Sequence, residues 1–188
     1  MKINYKKSGC FLMIHLVFLF SCAKQPLVEL PITTSSDIAL EHYKTAMKHW
    51  EVGDDFEKRI HLDSAIMIDP NFALALDMND VPDRSNRKAY QKKAQSLIEK
   101  VTDQERLILL IRDSYRNDNM DNALSYAKEL VDKNPNSYEG YDRLGIVQSD
   151  RNELDNAIKS FKKAIEINPD DFTAYDFLMG HHIPSGDR

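Results

Sequence analysis

Tyr138 to Pro169 reads YEGYDRLGIVQSDRNELDNAIKSFKKAIEINP, and this stretch decides the fold. Its neighbourhood repeats itself. Met120 to Ser137 reads MDNALSYAKELVDKNPNS, and Leu154 to Asp171 reads LDNAIKSFKKAIEINPDD. Asp121, Asn122 and Ala123 recur as Asp155, Asn156 and Ala157, and Asn134-Pro135 recurs as Asn168-Pro169, an offset of 34 residues at both ends. A fixed period of this size is the mark of stacked supersecondary units, each unable to bury its apolar face alone. The residue types fit two helices nested together. Gly145, Ala157 and Ala164 are small enough for close approach, while Tyr141, Leu144 and Phe161 fill the space around the contact. Pro169 cannot continue a helix, so it ends one pair and starts the next.

An aromatic residue, Leu-Gly three positions on, then Ala, an aromatic, Ala and Pro at set spacings is the pattern of the tetratricopeptide repeat. Tyr141, Leu144, Gly145, Ala157, Phe161, Ala164 and Pro169 stand in those places, so the segment resembles that family; Gln148 sits where tyrosine is usual. The resemblance implies an all-α chain, a right-handed α-α superhelix of helical hairpins. It also implies a scaffold that binds proteins rather than an enzyme. The copy before it keeps Leu107, Leu110, Ala123, Ala127, Leu130 and Pro135, with Ile111 where glycine is usual. Thr102 and Glu105 fit a capping box at its start. Ala39 to Pro70 keeps Ala46, Gly53, Leu62, Ala65 and Pro70, with Lys58 where a small residue is expected. A shortened copy lies between, its first helix clipped at Asp80-Val-Pro-Asp83. The solenoid is therefore expected over 37–180, as units 37–70, 71–102 (degenerate), 103–136 and 137–170, with a last helix at 171–180 and a tail at 181–188. Phe177 and Met179 make that last helix a poor polar cap, so it reads as a minimal cap or as a truncated hairpin.

The front of the chain has a different grammar. Lys2, Lys6 and Lys7 precede an apolar run from Cys10 to Phe20, CFLMIHLVFLF, followed by Ser21-Cys22. A charged start, an apolar stretch of about 7–15 residues and a small residue at the cut make a secretory signal, here 1–21. The run falls short of the roughly 20 apolar residues that span a bilayer. Leu19-Phe20-Ser21-Cys22 resembles the lipobox of bacterial lipoproteins, with Phe20 where a small residue is usual, a looseness similar to Bacteroidota examples. That resemblance makes Cys22 the lipid attachment point and membrane contact. Cys10 would leave with the signal, so the mature chain would hold no disulfide. AKQPLVELPITTSS over 23–36 has two prolines, a Thr/Ser cluster and no helical period, and with Cys22 it reads as a tether, 22–36.

Charge narrows the partners. The formal net charge is −5, and loss of the three leader lysines would leave −8. Such a chain gains little from counterion release at phosphates, so nucleic acid is not an expected partner. No glycine-rich phosphate loop, nucleophile elbow or His-Glu-x-x-His segment occurs, and no cofactor is expected. His42 and His49 are seven apart on one helix, too distant for both to hold one metal, and Asp77 to Asp80 lacks the glycine and final glutamate of a calcium loop. No metal site is expected.

In stacked hairpins the first helix of each pair lines the concave wall. By register that wall takes Tyr43, Met47 and Trp50 from the first copy, and Glu105, Ile108, Arg112, Tyr115 and Arg116 from the third. The fourth contributes Glu139, Asp142, Ile146, Ser149 and Asp150. Aromatic and arginine side chains on a groove are the composition of interface anchors. The expected function is a lipid-anchored adaptor holding a protein or peptide at the cell envelope, on the periplasmic side of the outer membrane if the source is Gram-negative. Two alternatives stand: a component of an outer-membrane nutrient-uptake or glycan-binding system, and a fragment of a longer repeat protein.

Overall fold

Among the described residues, every helical hairpin but one turns on the same six-residue device. Gly53, Asp118 and Asn152 take left-handed φ values of 74°, 54° and 61°. The amide of each donates to the carbonyl three residues back: Trp50, Tyr115 and Ser149. The next amides, of Asp54, Asn119 and Glu153, reach the carbonyls of His49, Ser114 and Gln148 at 2.8 Å. This double bond pattern closes a helix through one left-handed residue. Glycine adopts that conformation freely, and Asp and Asn are the side chains that tolerate it best. Asp54 and Asn119 then cap the following helix, accepting from the Glu57 and Asn122 amides. Two residues thus stop one helix and start another.

The structure, a computed structural model, describes residues 30–182. Among them the order is α1 (Asp37–Glu51), α2 (Asp55–Ile68), α3 (Ala73–Met78), α4 (Arg84–Ser96), a 3₁₀ turn (Ile98–Lys100), α5 (Asp103–Arg116), α6 (Met120–Lys133), α7 (Tyr138–Asp150), α8 (Leu154–Ile167) and α9 (Phe172–His182). No strand occurs among the described residues. The leader, Cys22 and the end of the tail lie outside them. The chain is an all-α stack of helical hairpins: α1 packs on α2, α3 on α4, α5 on α6 and α7 on α8, and most helices also touch the next pair. No described helix is long and apolar enough to cross a membrane.

The core follows the small residues. Ala46, Ala65, Ala123, Ala127, Ala157 and Ala164 are wholly buried, whereas Pro70, Pro135 and Pro169 sit exposed at the joints. At Gly145 α7 lies tight against α8: a Cβ there would stand 2.8 Å from Phe161 ring carbons. Phe161 is itself fully buried and stacks on Phe177 of α9, with ring centroids 4.2 Å apart. Gln148, in the place of the usual tyrosine, accepts from the Ser160 hydroxyl at 2.7 Å and so joins the same two helices. Lys58 stays buried by keeping its ammonium on Asp55, 2.6 Å away, with Asp80 at 3.8 Å.

Two boundaries depart from expectation. The tail does not begin at 181, since α9 continues to His182. More consequentially, residues 30–36 are not a free tether. Leu30 is only 7% exposed and joins the main core. The Thr33 amide donates to Glu105 Oε1 at 2.8 Å and its hydroxyl to Oε2 at 2.5 Å. The Thr34 hydroxyl and the Ser35 amide both reach Asp69 Oδ2 at 2.7 Å. Burial acts to raise the Asp69 carboxyl, but donors from Ser35, Thr34 and Asn71 outweigh it and hold it below the ordinary carboxylate range. The physical reason is simple: an extended Thr/Ser segment has every amide free to donate, and two buried carboxylates at helix ends accept. Replacing Thr33 and Thr34 together by valine removes the two hydroxyl bonds and should loosen this strap, leaving only its amide bonds. The expected loss is about 1.5–3 kcal/mol, the range for hydrogen bonds to charged groups. Faster amide exchange at Thr33 and Ser35, with the helices unchanged, would show it; unchanged exchange would refute the strap.

Candidate partner-binding groove

The inner helices carry a groove in two connected parts. The part beside the strap is a cavity of about 250 Å³ walled by Leu30, Tyr43, Leu74, Glu105, Ile108 and Asp142, among others. The open part is a cleft of about 450 Å³ between α1, α4, α5 and α7. Met47, Trp50, Arg143 and Ile146 border both. Arginine dominates the open part: Arg87, Arg112, Arg116 and Arg143 face one wall carboxylate, Asp80. Four of the chain's nine arginines meet here.

These arginines are not equivalent. Arg112 Nε pairs with Asp77 Oδ2, and Arg116 Nη1 reaches Asp77 Oδ1 at 2.8 Å. Asp77 is fully buried, so the two arginines staple α3 to α5. Arg87 from α4 donates through Nε and Nη2 to the Val81 carbonyl at 3.2 and 2.9 Å. Arg143 differs, since its Nε is buried without a hydrogen-bond partner. A buried donor left unmatched is costly, and an incoming acceptor relieves it.

The register of the sequence places side chains on the wall, but their exposure differs widely. Trp50 is 43% exposed and borders both parts, and Met47 and Ile146 are half-buried beside it. Tyr43 is not open to a partner: it lies in the core against Phe72, ring centroids 5.0 Å apart, with its hydroxyl on the Met78 sulfur. Burial pushes its phenol up to about 12 against the pull of Arg143 and Arg112. Ile108 is buried too. Arg112 and Arg116 spend their charge on Asp77, which demotes them from partner anchors to struts. Burial, helped by the Asp150 carboxylate, raises the Tyr115 phenol above its ordinary range. Ser149 is half-buried and borders neither part of the groove. Glu105 serves three masters: the capping box, the Thr102 hydroxyl and the strap.

Asp142, expected on the wall, lines the strap-side cavity, buried there together with Asp171, the residue before α9. Asp142 Oδ1 and Asp171 Oδ2 are both buried and lack any donor from another group. Burial first, and the Asp171 charge second, push the Asp142 carboxyl up to about 9; burial also raises Asp171. A proton kept on Asp142 removes the repulsion between the two buried carboxyls.

A histidine cluster escaped the sequence reading. Spacing along α1 considers His42 and His49 alone, yet α2 lays His61 between them. The Nδ1 atoms of His42 and His61 are 3.0 Å apart, and the His49 and His61 rings stack with centroids 5.6 Å apart. The available signal was the hairpin itself, because folding α2 back on α1 brings the middle of one against the middle of the other.

Residues 138–171 match the tetratricopeptide repeat family model. No curated protein matches the chain. Among solved structures, the first repeat domain of Spaghetti (RPAP3) bound to an HSP90 peptide is 18% identical, covering 78% of this chain and 94% of that one with a TM-score of 0.34. A MamA RS-1 double mutant is 15% identical over 82% of this chain and 88% of that one, with a TM-score of 0.43. A Bacteroides ovatus ATCC 8483 protein is 16% identical over 76% of this chain and 63% of that one, with a TM-score of 0.36.

Proposed function

Starting from a chain that is a tetratricopeptide-repeat protein, we propose that it is a lipid-anchored adaptor of a bacterial cell envelope, holding an acidic segment of a protein partner in the arginine-walled cleft. The observation that carries this reading is the buried, unpartnered Nε of Arg143 beside the exposed Trp50 ring, in a cleft of about 450 Å³. An indole supplies apolar area and a guanidinium with one unmatched N–H supplies charge, the pairing that concentrates binding energy at interfaces. A carboxylate on the partner would satisfy Arg143 through charge-assisted bonds. The groove offers binding surface rather than a nucleophile and base set for chemistry, so the role is binding. Anchoring is read from the Lys-rich start, the apolar run and Ser21-Cys22; two or more acyl chains give the stable attachment that one does not.

Affinity capture from envelope extract tests the cleft. A defined partner should be retained by the natural protein, and both Arg143→Glu and Trp50→Ala should weaken it by about 2 kcal/mol or more, the hot-spot threshold. An identical set captured by all three would sink the reading. Metabolic labelling with a fatty-acid probe tests the anchor: label should follow Cys22 and vanish in Cys22→Ser.

A further inference from the structure

The N-terminal hairpin gathers nitrogen and oxygen ligands that no part of the groove uses. Glu57 and His61 stand four apart on α2, hence on one face of that helix. His49 comes across from α1. One ligand atom from each of the three lies within 4.8 Å of the others, and all three residues are half-buried. Their surroundings are ordered in a particular way. His49 Nδ1 lies 3.3 Å from Asp54 Oδ2, and His61 Nδ1 lies 3.0 Å from His42 Nδ1. A ring whose Nδ1–H is held by a neighbour keeps its Nε2 lone pair free and aimed, the arrangement that orients metal-ligating histidines. Here both rings have such a neighbour: a carboxylate for His49, an imidazole for His61.

The geometry points to a site for a borderline divalent transition-metal ion, zinc foremost, held by His49, His61 and Glu57. Asp54 and His42 act as positioning residues. Two imidazoles and one carboxylate suit zinc in a four-coordinate site with water as the last ligand, and they are the wrong donors for calcium or magnesium. Bonds of about 2.0–2.1 Å set tetrahedral ligand atoms about 3.3 Å apart, so no pair in the cluster need close by more than roughly 1.5 Å. Half-buried side chains have the rotamer freedom for that. The ion would clip α1 to α2 in the first described hairpin.

The test is calorimetric titration of the metal-stripped full chain with zinc chloride, alongside cobalt(II) as a spectroscopic substitute. One equivalent of zinc should bind with micromolar affinity or better, and magnesium should not. At about a hundredfold excess over Kd the melting temperature should rise by about 5–10 °C. Cobalt should give the intense visible bands of a tetrahedral site. His61→Ala and Glu57→Gln should each weaken binding at least tenfold. Asp54→Ala and His42→Ala should weaken it about 10–100-fold, the usual loss for orienting partners. Changing His181 and His182 together to alanine should leave it intact. Should His61→Ala fail to fold, the near-isosteric Glu57→Gln carries the test. Absence of saturable zinc binding, or an affinity that survives both His61→Ala and Glu57→Gln, would overturn the site.

Discussion

Phe161→Ala is expected to destabilise the solenoid by about 3–5 kcal/mol, the range for deleting a buried aromatic ring. In a chain of this size that is a drop of about 6–20 °C in melting temperature. The ring is wholly buried, fills the hollow over Gly145, and stacks on Phe177, so its loss opens a cavity between α7, α8 and α9 together. A paired experiment isolates the close approach. Gly145→Ala sets a methyl 2.8 Å from Phe161 ring carbons, an overlap that something must yield to. Overpacking of this kind costs about 1–3 kcal/mol, which outweighs the roughly 1 kcal/mol that alanine gains over glycine inside a helix. In a Phe161→Leu background the ring edge is gone and only the helix preference remains, so Gly145→Ala should become neutral or stabilising. Urea denaturation of the four proteins gives the coupling directly. Additive changes would mean that Gly145 and Phe161 do not meet.

The second large effect is a dependence on pH with an unusual sign. Asp142 has a carboxyl raised from 3.8 to about 9 in the folded chain, by burial and then by Asp171. Unfolding returns it to the ordinary value. The folded state therefore holds an extra proton across that window, and stability falls wherever the native state binds more protons than the unfolded one. The contribution of the Asp142 proton is complete below 3.8 and is lost as pH climbs through about 9. Native carboxylates bonded to cations behave in the opposite sense. Melting temperature at pH 9 should therefore lie well below that at pH 5, by on the order of a few kcal/mol of stability. Asp142→Asn, which donates to Asp171 at every pH, should flatten the decline and exceed the natural protein above pH 8. Exchange should accelerate first in α9, since the Asp171 carboxylate also receives the Ala174 amide at its start. Parallel melting profiles for the two proteins would exclude a raised Asp142 carboxyl.

What could be read without coordinates was what repeats. The 34-residue offset between Asp121 and Asp155, and the small residues at 145, 157 and 164, are constraints that close helix packing imposes on every copy, so they survive as pattern. The capping box of Thr102 and Glu105 is legible for the same reason: its two halves sit three residues apart. The unreadable features are all single pairings across distant positions. Thr33 finds Glu105 72 residues away, and Arg112 finds Asp77 35 residues away. His61 reaches back 19 residues to His42. Nothing in local composition announces such a pair, because a threonine that straps a groove and one that idles in a linker have the same letter. The groove suffered most from this. Register along a helix tells which side chains face a wall, yet it is blind to a buried aspartate behind that wall claiming two of its arginines.

One outcome concerns distance. Because residues from Leu30 onward are bound into the folded body, at most eight peptide units separate that body from Cys22, and a fully extended chain of eight spans no more than about 29 Å. Should Cys22 bear acyl chains, the hairpins would ride at roughly their own thickness above the lipid headgroups, moored rather than roaming. A ligand would then have to present itself from the bilayer surface or reach down to it, which favours neighbours already resident in the same membrane over freely diffusing ones.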